Sequence, residues 1–145
     1  MKKLIIVLLI GFGVTVGVSS ADEEVIYETE EQAKEILLGH IWKCEWKDAY
    51  YSGAGEIIYE EVSFKKVTGK VKNSYCPSGW GFFKGKIKKG KLSGRSSKFP
   101  SPCTGSSTSS GKLFKAADGS YYTKGSYRPT NYQAQGTSNC KAIPK

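Results

Sequence analysis

The sequence predicts an all-β protein: a small antiparallel meander, closed as a barrel or folded as a sandwich, with one short N-terminal helix and two disulfides. Three observations carry this. From residue 40 onward apolar residues recur at every second position, the period of a strand with one buried face. Glycine-rich turns interrupt that alternation at short intervals. Four cysteines, Cys44, Cys76, Cys103 and Cys140, follow a segment that reads as an export signal, and an even count in an exported chain argues for disulfides.

Residues 1–21 are that signal. Lys2 and Lys3 form a basic start, Leu4 to Val18 an apolar run, and Ser19-Ser20-Ala21 a small-residue cleavage site. The apolar run is about 15 residues, short of the ~20 a spanning helix needs, so no membrane anchor is expected after cleavage. Removing 21 of the 145 residues leaves 124, enough for one core and too few for two. Residues 22–28, DEEVIYE, read as a flexible acidic arm, and residues 29–145 as a single disulfide-tied β domain, monomeric and periplasmic or secreted.

The helix is predicted from TEEQAKEILLG, residues 29–39. Thr29 and Gln32 fit a capping box, Glu30 and Glu31 suit the positive end of the helix dipole, and Gly39 suits a left-handed stop. A helix of about nine residues cannot stand alone, so Ile36 and Leu37 must dock on something. In HIWKCEWKD the period becomes two: Trp42, Cys44 and Trp46 face one way, and Lys43, Glu45 and Lys47 the other. Residues 49–55 read as a loop and 56–64 as a strand with a phase slip that suggests a bulge. Residues 65–73 read as a turn or third strand. The stretch 80–97 is a hairpin turning at Lys89-Gly90, with Phe83, Gly85, Ile87 and Leu92 inward. Residues 97–111 read as a serine-rich loop, 111–128 as a second hairpin turning at Ala117-Asp118-Gly119, and 131–143 as the last strand. Trp42, Trp46, Trp80 and Phe83 are expected in the core.

Four cysteines allow three pairings. The favoured one joins Cys76 to Cys103, closing a mid-chain loop, and Cys44 to Cys140, tying the first strand to the last. No two cysteines lie within four residues of each other and His40 is the single histidine, so no zinc spacing is present and no metal site is expected.

Charge divides sharply along the chain. Residues 22–61 hold twelve acids against three bases, and residues 62–145 hold seventeen bases against one acid, Asp118. Either the acidic segment neutralises the basic one internally, or the basic face meets an external polyanion. Lys84, Lys86 and Lys88 share one strand face, with Lys91 and Arg95 across the hairpin; Tyr121, Tyr122 and Tyr127 are candidate stacking rings, with Tyr50, Tyr51, Tyr75 and Tyr132 as further ones. The alternation alone also explains these lysines, as the wet side of a hairpin.

With a helix followed by Gly39-His40-Ile41-Trp42 and then a meander, the layout resembles the lipocalin-like (calycin) barrels, which space their glycine and tryptophan as G-x-W, one residue closer than here. The resemblance implies a barrel with an internal apolar pocket, and so a carrier of a small apolar ligand. Ser120-Tyr121-Tyr122-Thr123-Lys124-Gly125 followed by Cys140 resembles the C-terminal half of the small periplasmic lysozyme inhibitors, exported disulfide-tied barrels. That implies inhibition of a secreted enzyme through a loop such as 97–110 or 118–127.

Catalytic patterns are missing from the sequence. There is no nucleophile elbow and no phosphate-cradling glycine loop, and the adjacent Glu60 and Glu61 point to opposite faces of a strand, unsuited to paired-carboxylate chemistry. The expectation is a non-enzymatic binding protein without cofactor. Its basic face would meet an anionic polymer or an acidic protein surface; the export signal argues against intracellular nucleic acid.

Overall fold

A computed structural model describes residues 22–145; the expected signal peptide lies outside the described residues. The elements in chain order are β1 (Glu23–Val25), α1 (Glu30–Leu38), β2 (His40–Lys47), β3 (Ser52–Val62), β4 (Val67–Asn73), β5 (Gly81–Lys88), β6 (Lys91–Ser97), β7 (Ser107–Lys115), β8 (Tyr121–Pro129) and β9 (Gly136–Pro144). Strands β2 to β9 pair antiparallel in sequence order, and β9 returns to β2. The last pairing, from Thr137↔Lys47 to Pro144↔His40, closes an eight-stranded up-and-down barrel and excludes the sandwich. The architecture agrees with that of the calycin barrels.

Strand alternation sends the connections to two ends. The β3–β4, β5–β6 and β7–β8 turns lie at the end covered by α1. The β2–β3, β4–β5, β6–β7 and β8–β9 loops gather at the other end and form a mouth. Helix α1 begins where Thr29 Oγ1 accepts the Gln32 N–H, 3.1 Å, while Gln32 Oε1 accepts the Glu28 N–H, 2.8 Å. This is the expected capping box with Gln32 reaching one residue further back. Glu30 Oε2 accepts the Phe64 N–H of the β3–β4 turn, 2.7 Å, and fastens the helix to the wall. Ala33, Ile36 and Leu37 are buried, and Trp42 Nε1 donates to the Leu37 carbonyl, 3.2 Å, which would otherwise be an orphan of the helix end. His40 is half-buried rather than solvent-facing, and its Nδ1 donates to the Ile36 carbonyl at 2.7 Å. Gly39 is not a left-handed stop: its φ is −77°. The chain passes straight from helix to strand, and glycine is needed because a Cβ there would stand 2.5 Å from the Glu35 carbonyl oxygen.

Inside the barrel Trp42, Tyr59 and Phe83 form a chain of edge-to-face rings, with centroids 6.3 and 5.7 Å apart, packed among Val67, Val71 and Leu113. Phe83 lies over β6, where a Cβ on Gly94 would come within 2.3 Å of its ring. Both favoured disulfides are present. Cys44–Cys140 bridges directly paired residues of β2 and β9, and Cys76–Cys103 ties the β4–β5 loop to the β6–β7 loop. The phase slip expected in 56–64 is a register shift between Tyr59 and Glu61. Lys89 and Gly90 turn the hairpin with φ of 53° and 76°, as a two-residue turn between twisted strands requires.

Three segments depart from the sequence reading. Strand β3 starts at Ser52, inside the expected loop, because Ser52–Ile57 pair with β2; the glycines fit there because a Cβ on Gly53 would meet the Tyr51 hydroxyl and Ser74 Oγ, and one on Gly55 the Lys72 carbonyl. Strand β7 starts at Ser107, inside the expected serine-rich loop, and pairs on both sides with β6 and β8. The acidic segment 22–28 is held rather than free: β1 pairs with Leu113–Lys115 of β7 beyond the end of β6, and Tyr27 is buried.

Replacing Cys44 and Cys140 together by alanine removes a crosslink spanning 96 residues, and urea unfolding should show a loss of about 4 kcal/mol. Leu37→Ala, which empties a fully buried site under α1, should cost about 2–5 kcal/mol in the same measurement.

Candidate functional site

The outer surface of β5–β8 is set by register. Across the strands Lys88 lies opposite Lys91, Lys91 opposite Lys112, and Lys112 opposite Lys124. Nearer the mouth Lys84 lies opposite Arg95, Arg95 opposite Thr108, and Thr108 opposite Arg128. Between these two rows runs a row of short side chains headed by Lys86: Ser93, Ser110, Ser126 and Thr137. Neighbours within a row are ~4.8 Å apart, and alternate residues along a strand ~6.5–7 Å apart. The result is a hydroxyl strip between two cationic rows.

Like charges placed directly opposite each other across a ladder destabilise it. Among the described residues the ion pairs are Lys43–Glu56, Lys66–Glu61 and Lys112–Glu24. Glu24 reaches Lys112 from β1 at 3.9 Å; no pair includes Lys84, Lys86, Lys88, Lys91 or Arg95. The acids of α1, β2 and β3 lie across the barrel from this surface. Trp80, expected in the core, is half-exposed on the outer side, with the Lys70 and Lys72 ammonium groups 5.2 and 5.7 Å from its ring. It follows β4's basic face instead of filling the interior, which Trp42, Tyr59 and Phe83 already occupy.

The tyrosines named with that surface do not form one site. Tyr121 and Tyr122 belong to the α1 end. Tyr121 packs edge-on against His40 at 5.8 Å. Tyr122 stacks on Phe114 at 5.3 Å and donates to Asp22 Oδ2 at 2.7 Å. That bond, then burial, pushes its phenol up to about 12. Tyr127 points inward at the opposite end and joins the mouth.

There the loops bring together Tyr50, Tyr51, Tyr75, Tyr127 and Tyr132, with Phe99, around a cavity of about 280 Å³. Asp48, at the start of the β2–β3 loop, organises one side. Its Oδ2 accepts the hydroxyls of Tyr127 and Tyr132, and its Oδ1 accepts the N–H groups of Tyr50 and Tyr51 at 2.7 and 3.0 Å. Removal from water is the largest single influence on Asp48 and opposes ionisation. The four donors together outweigh it and hold the carboxyl below the usual carboxylate range. Burial, then the bond to Asp48, push the Tyr127 phenol far above its ordinary value and Tyr132 up to about 12. On the other side Tyr51 Oη bonds Ser74 Oγ at 3.0 Å and Tyr75 Oη donates to the Thr104 carbonyl at 2.8 Å. A wider hollow of about 690 Å³, bordered by residues 128–135, is walled by the β8–β9 loop and its flanks.

Asp48 was not singled out from the sequence. Its signal was position: it stands two and three residues before a Tyr-Tyr pair, where a carboxylate closes an Asx turn. Comparison with protein-family models, with curated proteins and with solved structures gives no match for this chain.

A carboxyl with a depressed folded value stabilises the fold above its ordinary pKa of ~3.9, and that stabilisation is lost as pH falls through the depressed value. Near-UV circular dichroism of the tyrosines should therefore hold constant down to about pH 4 and change below it. In Asp48→Asn the part of that change contributed by Tyr127 and Tyr132 should be absent, leaving the part from Tyr122 on Asp22.

Proposed function

We propose that this is an exported, non-catalytic binding protein whose β5–β8 surface holds a polymer of regularly spaced anionic groups, such as an envelope polysaccharide or lipopolysaccharide. The observation that carries this reading is the in-register rows Lys88–Lys91–Lys112–Lys124 and Lys84–Arg95–Thr108–Arg128, which contain no acid; Glu24 of β1 reaches Lys112 alone. Such rows raise the energy of the unliganded protein, and bound anionic groups relieve that repulsion. The serine strip between the rows adds neutral hydroxyls that donate to sulfate, phosphate or carboxylate oxygens. Two disulfides suit an oxidising compartment outside the cytoplasm, which points to periplasmic or secreted polyanions. No helix among the described residues is long and apolar enough to cross a membrane. The chain of rings from Trp42 to Phe83 occupies the place where an apolar cargo would sit, so the outer surface is favoured over the interior.

Heparin chromatography tests this. The protein should be retained at low salt and elute as salt rises, the signature of counterion release. A variant carrying Lys84→Glu, Lys86→Glu and Lys88→Glu should flow through. A variant with Lys34→Glu, Lys43→Glu and Lys47→Glu makes the same change in net charge on the opposite side and should remain bound. Equal loss in both variants, or no retention of the unmodified protein at low salt, would count against a defined surface.

A further inference from the structure

The mouth has features that the charge rows do not explain. Its five tyrosines come from three separate loops and one strand end, and four of them have hydroxyls already committed: Tyr127 and Tyr132 to Asp48, Tyr51 to Ser74, Tyr75 to Thr104. With the hydroxyls tied back into the protein, the rings offer a ligand their faces and edges. The rings also stand at right angles in two pairs. Tyr50 and Tyr132 are 5.8 Å apart at 88°, and Tyr51 and Tyr75 are 6.5 Å apart at 88°. Each pair makes a corner. Tyr50 and Tyr75 are 76% and 44% exposed, so each corner has one ring open to solvent.

The polar groups around the opening narrow the chemistry. Asn73 Oδ1 accepts the Cys76 N–H at 3.0 Å, which leaves its NH₂ to donate. Ser106 and Ser107 also line the cavity, and Arg95 Nη2 reaches Ser106 Oγ at 2.7 Å from the cationic row. Arg128 stands on the outer face of β8, next to Pro129 of the cavity wall, and donates to Gln135 Oε1 at 2.9 Å. Both guanidinium groups stand on the outer face beside the opening rather than in its lining. A purely aliphatic guest leaves the amide and hydroxyls unpaired. The cavity, about 280 Å³, is at the small end for organic ligands and suits a single ring.

We infer that the mouth is a subsite for one pyranose ring of an acidic glycan, its apolar face on the tyrosine rings and its anionic substituent toward Arg95 and Arg128. This rests on the polyanion reading of the β5–β8 surface and gives the polymer its chemical class. The row Lys84–Arg95–Arg128 lies at the mouth end of that surface, so one chain reaches both. A nucleobase also has flat faces and polar edges, but two disulfides suit an oxidising compartment outside the cytoplasm, which favours a glycan.

The test uses three probes on the unmodified protein: a sulfated heparin-derived tetrasaccharide, inorganic polyphosphate, and a thymidine oligonucleotide. The protein variants are Tyr50→Ala combined with Tyr75→Ala, and the Lys84/Lys86/Lys88→Glu variant. By calorimetry the tyrosine variant should lose about tenfold or more in affinity for the tetrasaccharide and keep its affinity for polyphosphate, which has charge but no ring. The lysine variant should lose both. Thermal melting of the tyrosine variant should fall only slightly, because Tyr50 is 76% exposed and Tyr75 gives up one hydrogen bond, to the Thr104 carbonyl. Binding of neither anion by the unmodified protein overturns the polyanion reading itself. Binding of both, with tyrosine changes that affect both equally or neither, overturns the ring subsite alone. A loss confined to the oligonucleotide overturns the glycan assignment in favour of nucleic acid.

Discussion

Closure of the β-sheet between β2 and β9 is the constraint on which the rest depends. Seven of the eight wall ladders join strands that are neighbours in sequence; this one joins the first wall strand to the last, and Cys44–Cys140 sits in its middle. Once the ring is closed, no wall strand presents a long unpaired edge. The stretch of β7 that β6 does not cover is taken by β1. Closure also fixes the parity of the connections. With eight strands in up-and-down order, alternate loops must share an end, so four loops distant in sequence converge on one opening while α1 and three turns occupy the other.

Closure likewise turns a division of charge along the chain into a division around a circumference. The acids of residues 22–61 lie on α1, β2, β3 and the short β1; the bases of residues 62–145 cover β4 to β9. Of the two explanations open from sequence, internal neutralisation accounts for little: Glu24 meets Lys112, and Lys43 and Lys66 pair with acids of β3. The acids of β2 and β3 stand across the barrel from β6 and β7, while those of β1 lie beside β7. On the proposed reading, the field of so uneven a distribution would orient an approaching polyanion before contact.

What the sequence made legible was periodicity. The alternation in His40–Lys47 and in the 80–97 hairpin, the cap at Thr29 and the Lys89-Gly90 turn follow from local pattern, and the presence of disulfides from the compartment; the favoured cysteine pairing was one of three the sequence allowed. The segments misread, Gly53–Gly55 and Ser107–Ser110, have low strand propensity. They are strands because of the ladders they complete, Gly53–Gly55 with β2 and Ser107–Ser110 with both β6 and β8. The cationic rows were half legible. Period two placed Lys84, Lys86 and Lys88 on one face, but their alignment with Lys112, Lys124 and Arg128 depends on register, which no local pattern encodes. The mouth was less legible still. Its tyrosines belong to one site only because their loops share an end, a conclusion that requires the strand count and order first.

The position of Cys76–Cys103 has a consequence for recognition. It binds the β4–β5 loop, which carries Tyr75, to the β6–β7 loop, which carries Thr104 and Ser106, while Asp48 holds Tyr127 and Tyr132 to the β2–β3 loop. Loops free to move would surrender conformational entropy each time a guest ordered them. Here most of that ordering is done during folding. If the opening binds as proposed, it would act as a fixed die rather than a closing hand, gaining selectivity for a rigid ring and forfeiting the ability to remould itself around guests of other shapes.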